Sequence, residues 1–187
     1  MRTLAITQNI TLDGSIEMLD DWFDPQSGGE VDSSDMLDEI HRQDRAADGL
    51  VVGRRTFEDL RGYWPKQTDD STGITDYLNQ VQKHVVSSTM TEAGWQNTTI
   101  VSTDPLGTIW RLKEQPGKDI VVTGSITLCH ALIAEGLVDQ FRLFVYPIVQ
   151  GRGRRLFPDG FTAPRLDLLD TKAFRSSGIT YSCYATG

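Results

Sequence analysis

The chain has 187 residues, 39% of them apolar and 24% charged, which is enough for one well-filled core and short for two domains. Its 26 acidic and 18 basic residues leave a net charge of −8, which repels nucleic acid and anionic membrane over long range, so any anion must be held by local arginines or by backbone N–H groups. No apolar run reaches the length of a membrane span, the start MRTLAITQNI lacks the apolar core of a signal peptide, and Cys129 and Cys183 are too few for a disulfide scaffold. The expectation is a cytoplasmic protein.

Thr3 to Gln8 reads as a first strand, followed by turn chemistry at Thr11-Leu12-Asp13-Gly14, where Asp-Gly favours positive φ. Residues 17 to 34 form a loop rich in Asp, Gly and Ser, with Trp22 and Phe23 as anchors that suggest packing. Ser33 or Ser34 caps a helix whose early turns carry Asp35, Asp38 and Glu39, with Met36, Leu37 and Ile40 as a thin apolar stripe. Gly49 to Gly53 is a second strand. Thr56 caps a short helix through Leu60 that stops at Gly62, with Trp64-Pro65 beyond it.

Ile74 to Val81 is weakly helical, His84 to Ser87 is a third strand, and Thr99 to Val101 is a fourth. Asp104-Pro105 opens a helix in the N-cap and N1 pattern, with Gly117 after its end. Ile120 to Thr123 is a short β-branched strand that runs into Gly124. Ser125 then stands where a helix cap belongs, Leu128, Cys129, Leu132 and Ile133 recur at helical spacing, and Gly136 offers a stop. Val138 to Val149 is a long strand pattern broken near Pro147. Gly151 to Gly160 is a basic, Gly-rich loop. Arg165 to Phe174 and Ile179 to Ala185 form a closing hairpin across Ser176-Ser177-Gly178. Strands alternating with helices imply a largely parallel α/β sheet, and the helix-free end implies an antiparallel edge.

Strand, glycine and helix N-terminus in succession leave several N–H groups aimed at one spot with the positive end of the helix dipole behind them, an arrangement suited to phosphate. That arrangement occurs at Gly124-Ser125 and again at Gly53-Arg54-Arg55-Thr56, where two guanidinium forks are added. The bland alternatives are that Gly124 only turns the chain, Ser125 only caps, and the arginines pair with Glu58 and Asp59. Ser87-Ser88-Thr89 offers hydroxyls at a third strand end, or simply caps a turn. All three lie at carboxyl ends of expected parallel strands, where open α/β sheets bind ligands, and together they point to a nucleotide with more than one phosphate group. Other chemistries find no support. GxGxxG after a strand, a Walker loop, HExxH and GxSxG are all missing, the three histidines are scattered, and Cys129 and His130 are adjacent on a helix and cannot face each other. No metal site is expected. Arg152, Arg154 and Arg155 form a second place for an anionic substrate, or a solvated loop or subunit contact.

In order and spacing these segments resemble the dihydrofolate reductase fold, and within it the branch of the reductase domain of the bifunctional riboflavin-biosynthesis deaminase-reductase. The carriers are Thr11 to Gly14, Val51 to Glu58, His84 to Ser88, Ile120 to Ser125 and Val138 to Val149, which span nearly the whole chain. The resemblance implies one α/β domain over residues 1 to 187, with a central, mostly parallel sheet of about eight strands flanked by helices and an antiparallel C-terminal hairpin. It implies NADPH. Arg54, Arg55 and Thr56, following Gly53, would hold the adenosine-side phosphates, with Ser87 and Ser88 near the phosphate that distinguishes NADPH from NADH. Gly124, Ser125, Ile126 and Thr127 would cradle the pyrophosphate, and Asp13 and Gly14 would flank the nicotinamide. The implied activity is reduction of a small heterocycle, similar to 5-amino-6-(5-phosphoribosylamino)uracil reductase, without the deaminase. The alternatives are a pterin or dihydrofolate reductase and a silent nucleotide-binding dimeric module. Relatives in this branch are commonly homodimers. Two departures stand out: Ser125 replaces the second glycine of the folate enzymes' loop, and Leu37 falls nearest the place of their helical carboxylate, flanked by Asp35 and Asp38.

Overall fold

The computed structural model describes residues 1–19, 22–23, 34–163 and 165–187, so most of the 17–34 loop and the Ser33 cap lie outside the described residues. The elements run β1 (Leu4–Thr11), α1 (Ser34–Ala46), β2 (Ala47–Gly53), α2 (Arg54–Tyr63), a 3-10 turn (Trp64–Lys66), α3 (Ile74–Gln80), β3 (Gln82–Val86), β4 (Thr98–Val101), α4 (Pro105–Glu114), β5 (Asp119–Val122), α5 (Ile126–Ala134), β6 (Gln140–Tyr146), β7 (Asp167–Ala173) and β8 (Thr180–Ala185). They build an eight-stranded sheet in the order β4-β3-β2-β5-β1-β6-β8-β7. The strands from β4 through β6 pair in parallel, while β8 pairs antiparallel with both β6 and β7.

Alternation along the strands divides the core. Leu4, Ile6, Val51, Ile120, Val122 and Phe141 face Ile109 of α4 and Leu128, Cys129, Leu132 and Ile133 of α5. On the other face Leu50, Val52, Val85 and Val121 meet Phe57 of α2 and Leu78 of α3, while Phe144, Tyr181 and Cys183 meet Met36 of α1. β1 has both faces covered, and its buried positions include the polar Gln8 and Thr11 as well as Leu4, Ala5, Ile6 and Ile10.

The sheet and the hairpin follow the sequence reading, and several boundaries move. β1 continues to Thr11 rather than ending at Gln8, and β6 is shorter than the span 138–149. The second helix starts at Arg54 with Gly53 as N-cap, so Thr56 is not its cap. It also passes Gly62 to Tyr63, and Pro65 lies inside the following 3-10 turn, where a missing N–H costs nothing.

α1 is docked by more than its apolar stripe. Glu39 and Gln43 are buried with Met36 beneath the helix. Glu39 accepts hydrogen bonds from Arg42 (2.6 Å), from Gln43 (2.8 Å) and from Lys172 of β7 (2.6 Å), while Thr7 of β1 donates to Gln43 (3.2 Å). Burial pushes the Glu39 carboxyl up, and the three donors outweigh it, holding the group at about 2. In the sequence Glu39 reads as one more acidic residue of the helix's early turns. Its burial depends on Lys172, which lies 133 positions away.

Candidate functional site

The register brings the three phosphate-suited strand ends together. Val51 pairs with Val122, so Gly53 and Gly124 each lie two residues past a paired position. Gly53 pairs with Val86, which sets Arg54 beside Ser87. β1 adjoins β5 and ends just before Asp13 and Gly14. Ser87, Gly53, Gly124 and Asp13 thus lie along one carboxyl rim of the sheet, in the order β3, β2, β5, β1.

At the centre of this rim the two glycine turns touch. Gly124 and Ser125 both adopt left-handed backbone, with φ 58° and 59°. The Gly53 N–H donates to Ser125 Oγ (2.6 Å), and Ser125 Oγ donates to Thr56 Oγ1 (2.9 Å). A Cβ on Gly124 would stand 2.8 Å from Thr56 Cγ2, so only glycine allows this approach. Ser125 holds the N-cap position of α5, yet its side chain makes no cap bond there, contrary to the capping role suggested by its position. Among the described residues α2 also has no side-chain cap, whereas Asp104 caps α4 by accepting from Gly107. The first N–H groups of α2 and α5 therefore remain for a ligand or water. Behind the turn, Gln8 Nε2 (3.2 Å) and Cys129 Sγ (3.2 Å) both donate to the Gly124 carbonyl. Burial pushes the Cys129 thiol up to about 12, so it serves as a buried donor and not as a nucleophile. Neither Gln8 nor Cys129 was legible as a site residue, because each acts through the Gly124 backbone carbonyl, 116 residues from Gln8 and one helical turn back from Cys129.

The flanking residues differ in how far they are engaged. Arg54 is exposed and forms a fork with Glu58 at 3.0 and 3.1 Å, the local pairing foreseen as its bland alternative. Arg55 is exposed and has no partner among the described residues. Ser87 is buried and its hydroxyl oxygen accepts from the Thr89 (3.3 Å) and Met90 (3.0 Å) amides, which caps a turn and leaves the hydroxyl proton to donate. Ser88 and Thr127 are exposed, and Ile126 is half-buried in the first turn of α5.

At the other end of the rim, Asp13 is a clamp. It accepts from Thr11 Oγ1 (2.6 Å), the Gln150 amide (3.1 Å) and the Gly151 amide (2.7 Å), and these bonds hold its carboxyl at about 2. Ser15 bridges to Arg155, Glu17 pairs with Arg154 at 2.7 Å, and Gln150 donates to the Glu17 carbonyl at 3.1 Å. The basic loop is thereby fastened over the turn that follows β1. Between them is a cavity of about 160 Å³ lined by Asp13, Ser15, Gly151, Arg152, Gly153 and Arg155. Trp22 donates to Gln150 Oε1 (2.7 Å), and Trp22 and Phe23 pack edge-on to Tyr146 at the end of β6, so the expected packing of both aromatics is present.

The two acidic residues flanking Leu37 differ in their surroundings, and Asp35 Oδ1 is buried with no hydrogen-bond partner among the described residues. Asp35 accepts from the Ser176 amide in the β7–β8 turn (3.1 Å), and Asp38 is exposed. Among the described residues no group of three or more His, Cys, Asp and Glu could hold a metal ion, and no helix is long and apolar enough to cross a membrane.

Comparison with known proteins gives the family and the fold. The uncharacterized protein YyaP of Bacillus subtilis (strain 168) is 33% identical over 190 residues, covering 98% of this chain and 94% of that one. A solved structure from Shewanella sp. PV-4, assigned to riboflavin biosynthesis, superposes with a TM-score of 0.71 at 21% identity, covering 99% of both chains. Dihydrofolate reductase from Enterococcus faecalis, complexed with NADP(H), superposes with a TM-score of 0.63 at 15% identity, covering 99% of this chain and 96% of that one, so the fold is dihydrofolate reductase-like. Residues 2–179 match the RibD C-terminal domain, and the chain belongs to that family.

Proposed function

We propose that this protein is an NADPH-dependent reductase of a small heterocyclic compound, of the riboflavin-pathway type. The observation that carries the reading is the meeting of two helix N-termini without side-chain caps, those of α2 and α5, on one rim beside Arg54 and Arg55. The residues fit a dinucleotide. Gly124 lets Thr56 of the α2 turn approach closely, the first-turn amides of both helices are available, and the guanidinium groups supply positive charge on a chain of net charge −8. Thr127 and Ile126 line the α5 side of the cradle, Ser87 and Ser88 extend it along β3, and Asp13 and Gly14 close it near the end of β1.

Bound there, NADPH supplies a hydride. The chain's own part is to orient the two reactants and exclude water from between them. Trp22, Phe23 and Tyr146 form an apolar wall at the β6 end of the rim, suited to a flat heterocycle. Leu37 offers no proton at the place flanked by Asp35 and Asp38, and in this reading the proton comes from water.

Titration calorimetry tests the cofactor. NADPH should bind at micromolar affinity and NADH more weakly. Replacing Arg54 and Arg55 with Ala should weaken NADPH by tenfold or more, the worth of a charge-assisted hydrogen bond, with a smaller change for NADH. If the native protein binds neither nucleotide, the reading is wrong. Equal losses for both would remove the arginines from the distinguishing phosphate. A turnover screen of pterins, aminopyrimidine ribosides and simple carbonyls, followed by NADPH absorbance, then identifies the substrate.

A further inference from the structure

Ser125 is unusual in three ways at once. It is a non-glycine residue in left-handed backbone, it holds an N-cap position without capping, and its hydroxyl reaches across to another strand's turn. The first of these costs conformational energy that glycine would avoid. Its hydroxyl uses both of its roles on the opposite turn, accepting from the Gly53 amide at 2.6 Å and donating to Thr56 at 2.9 Å. Gly53 is the N-cap of α2 and Thr56 lies in its first turn, while Ser125 is the N-cap of α5. One hydroxyl therefore ties the N-termini of both rim helices to each other. The tie is supported from behind, where Gln8 and Cys129 fix the Gly124 carbonyl.

We propose that Ser125 is a positioning residue that sets the separation between the two phosphate-facing turns, so that a ligand with phosphates on both meets them already spaced. The inference rests on the NADPH reading and adds to it a claim about how the site discriminates. Two turns held at fixed spacing favour a ligand long enough to bridge them, and confer nothing on a ligand that touches one turn only. Without the hydroxyl each turn still presents its own amides, but the relative position of the turns must be fixed at the moment of binding.

The test compares a bridging ligand with a one-turn fragment. NADPH and adenosine 2′,5′-bisphosphate are titrated calorimetrically into the native protein and into Ser125→Gly and Ser125→Ala. Glycine suits the left-handed backbone, so that variant should fold, and thermal unfolding checks both. We expect NADPH to weaken by about tenfold in each variant, the order of one or two hydrogen bonds, while the fragment changes by less than about twofold. Equal weakening of both ligands would reduce Ser125 to a general structural role and overturn the proposal. Unchanged or tighter NADPH binding would overturn it too, the latter by showing that the hydroxyl blocks the site. If the native protein binds the fragment and NADPH alike, the spacing confers no advantage and the proposal also falls. Binding of neither ligand to the native protein would instead remove the cofactor reading on which it stands.

Discussion

Single positions at the rim differ in what they demand of the backbone and of space, and the difference can be measured. Gly124 and Gly14 both have positive φ, 58° and 89°. A Cβ at Gly124 would meet Thr56 at 2.8 and 2.9 Å, whereas a Cβ at Gly14 would find no atom within 4 Å. Gly14→Ala should therefore cost only the left-handed penalty, about 1 to 2 kcal/mol. Gly124→Ala adds forced overlap with Thr56 and should cost roughly 2 to 4 kcal/mol in all. Urea denaturation of the two variants checks the ordering, and equal losses would mean that the turns do not approach as closely as described. Ser125 illustrates why such positions mislead when read in one dimension. Its place after a glycine and before a helical repeat is that of a cap, and its partner, Gly53, is 72 residues earlier.

At the level of elements, the pattern of apolar residues carried most of the information. The β-branched runs at β2 and β5 mark strands because apolar sequence and burial coincide there, and the alternation of Phe141, Leu143 and Val145 marks β6 although Arg142 and Phe144 on its other face are buried too. The glycines at 53 and 124 mark their ends for the same local reason, so the rim itself was visible before the fold. What failed to show was whatever depends on pairing between distant segments. The β1 turn and the basic loop read as separate features, and only the Asp13 bonds to Gln150 and Gly151 join them. The docking of α1 is the clearest instance, since a carboxylate in an early helical turn carries no sign of burial. Glu39→Gln keeps the shape but leaves Lys172 and Arg42 facing a neutral amide. Because Arg42 and Lys172 are half-exposed, it should destabilise the protein by only about 1 to 2 kcal/mol, and lower the melting temperature by roughly 5 °C. Lys172→Met should couple with it, so that the double variant loses less than the sum of the singles. Full additivity would show that the pair does not interact.

The molecule as a whole should be most stable well below neutral pH, because its perturbed carboxyl groups pull in two directions. Glu39 lies at about 2 against an ordinary 4.5, with its donors outweighing burial, and Asp70 lies at about 2 against 3.8 because bonds from Thr72 and Thr75 likewise outweigh burial. Asp13 is held at about 2 by Thr11, Gln150 and Gly151. For these three the folded state binds protons less readily than the unfolded state, so their stabilisation is present above about pH 4.5 and is lost as pH falls toward about 2. Asp44 is the opposite case. Burial raises it from 3.8 to about 6, only partly offset by His41 and Arg45. The folded state then binds the proton more readily, so its contribution is present below pH 3.8 and is lost as pH rises through about 6. The net charge of −8 acts in the same sense, since lowering the pH from 7 relieves self-repulsion. His84 acts the other way, because burial and the nearby Arg2 lower its imidazole from the ordinary 6.5, so its contribution is lost as pH falls below 6.5. Melting temperature should therefore rise as pH falls from 7 to about 5, less steeply than Asp44 alone would give, pass a maximum near pH 4 to 5, and drop steeply below it. Asp44→Asn removes the unfavourable charge at neutral pH. It should raise the melting temperature at pH 7 by about 2 °C, a discounted figure because the group is partly solvated, and flatten the rise between pH 7 and 5. Calorimetric scans of dilute protein across pH 2 to 8 decide the matter. A melting temperature that climbs steadily from pH 5 to 8, in native and Asp44→Asn protein alike, would show that the half-buried Asp44 carboxyl is not raised by its surroundings.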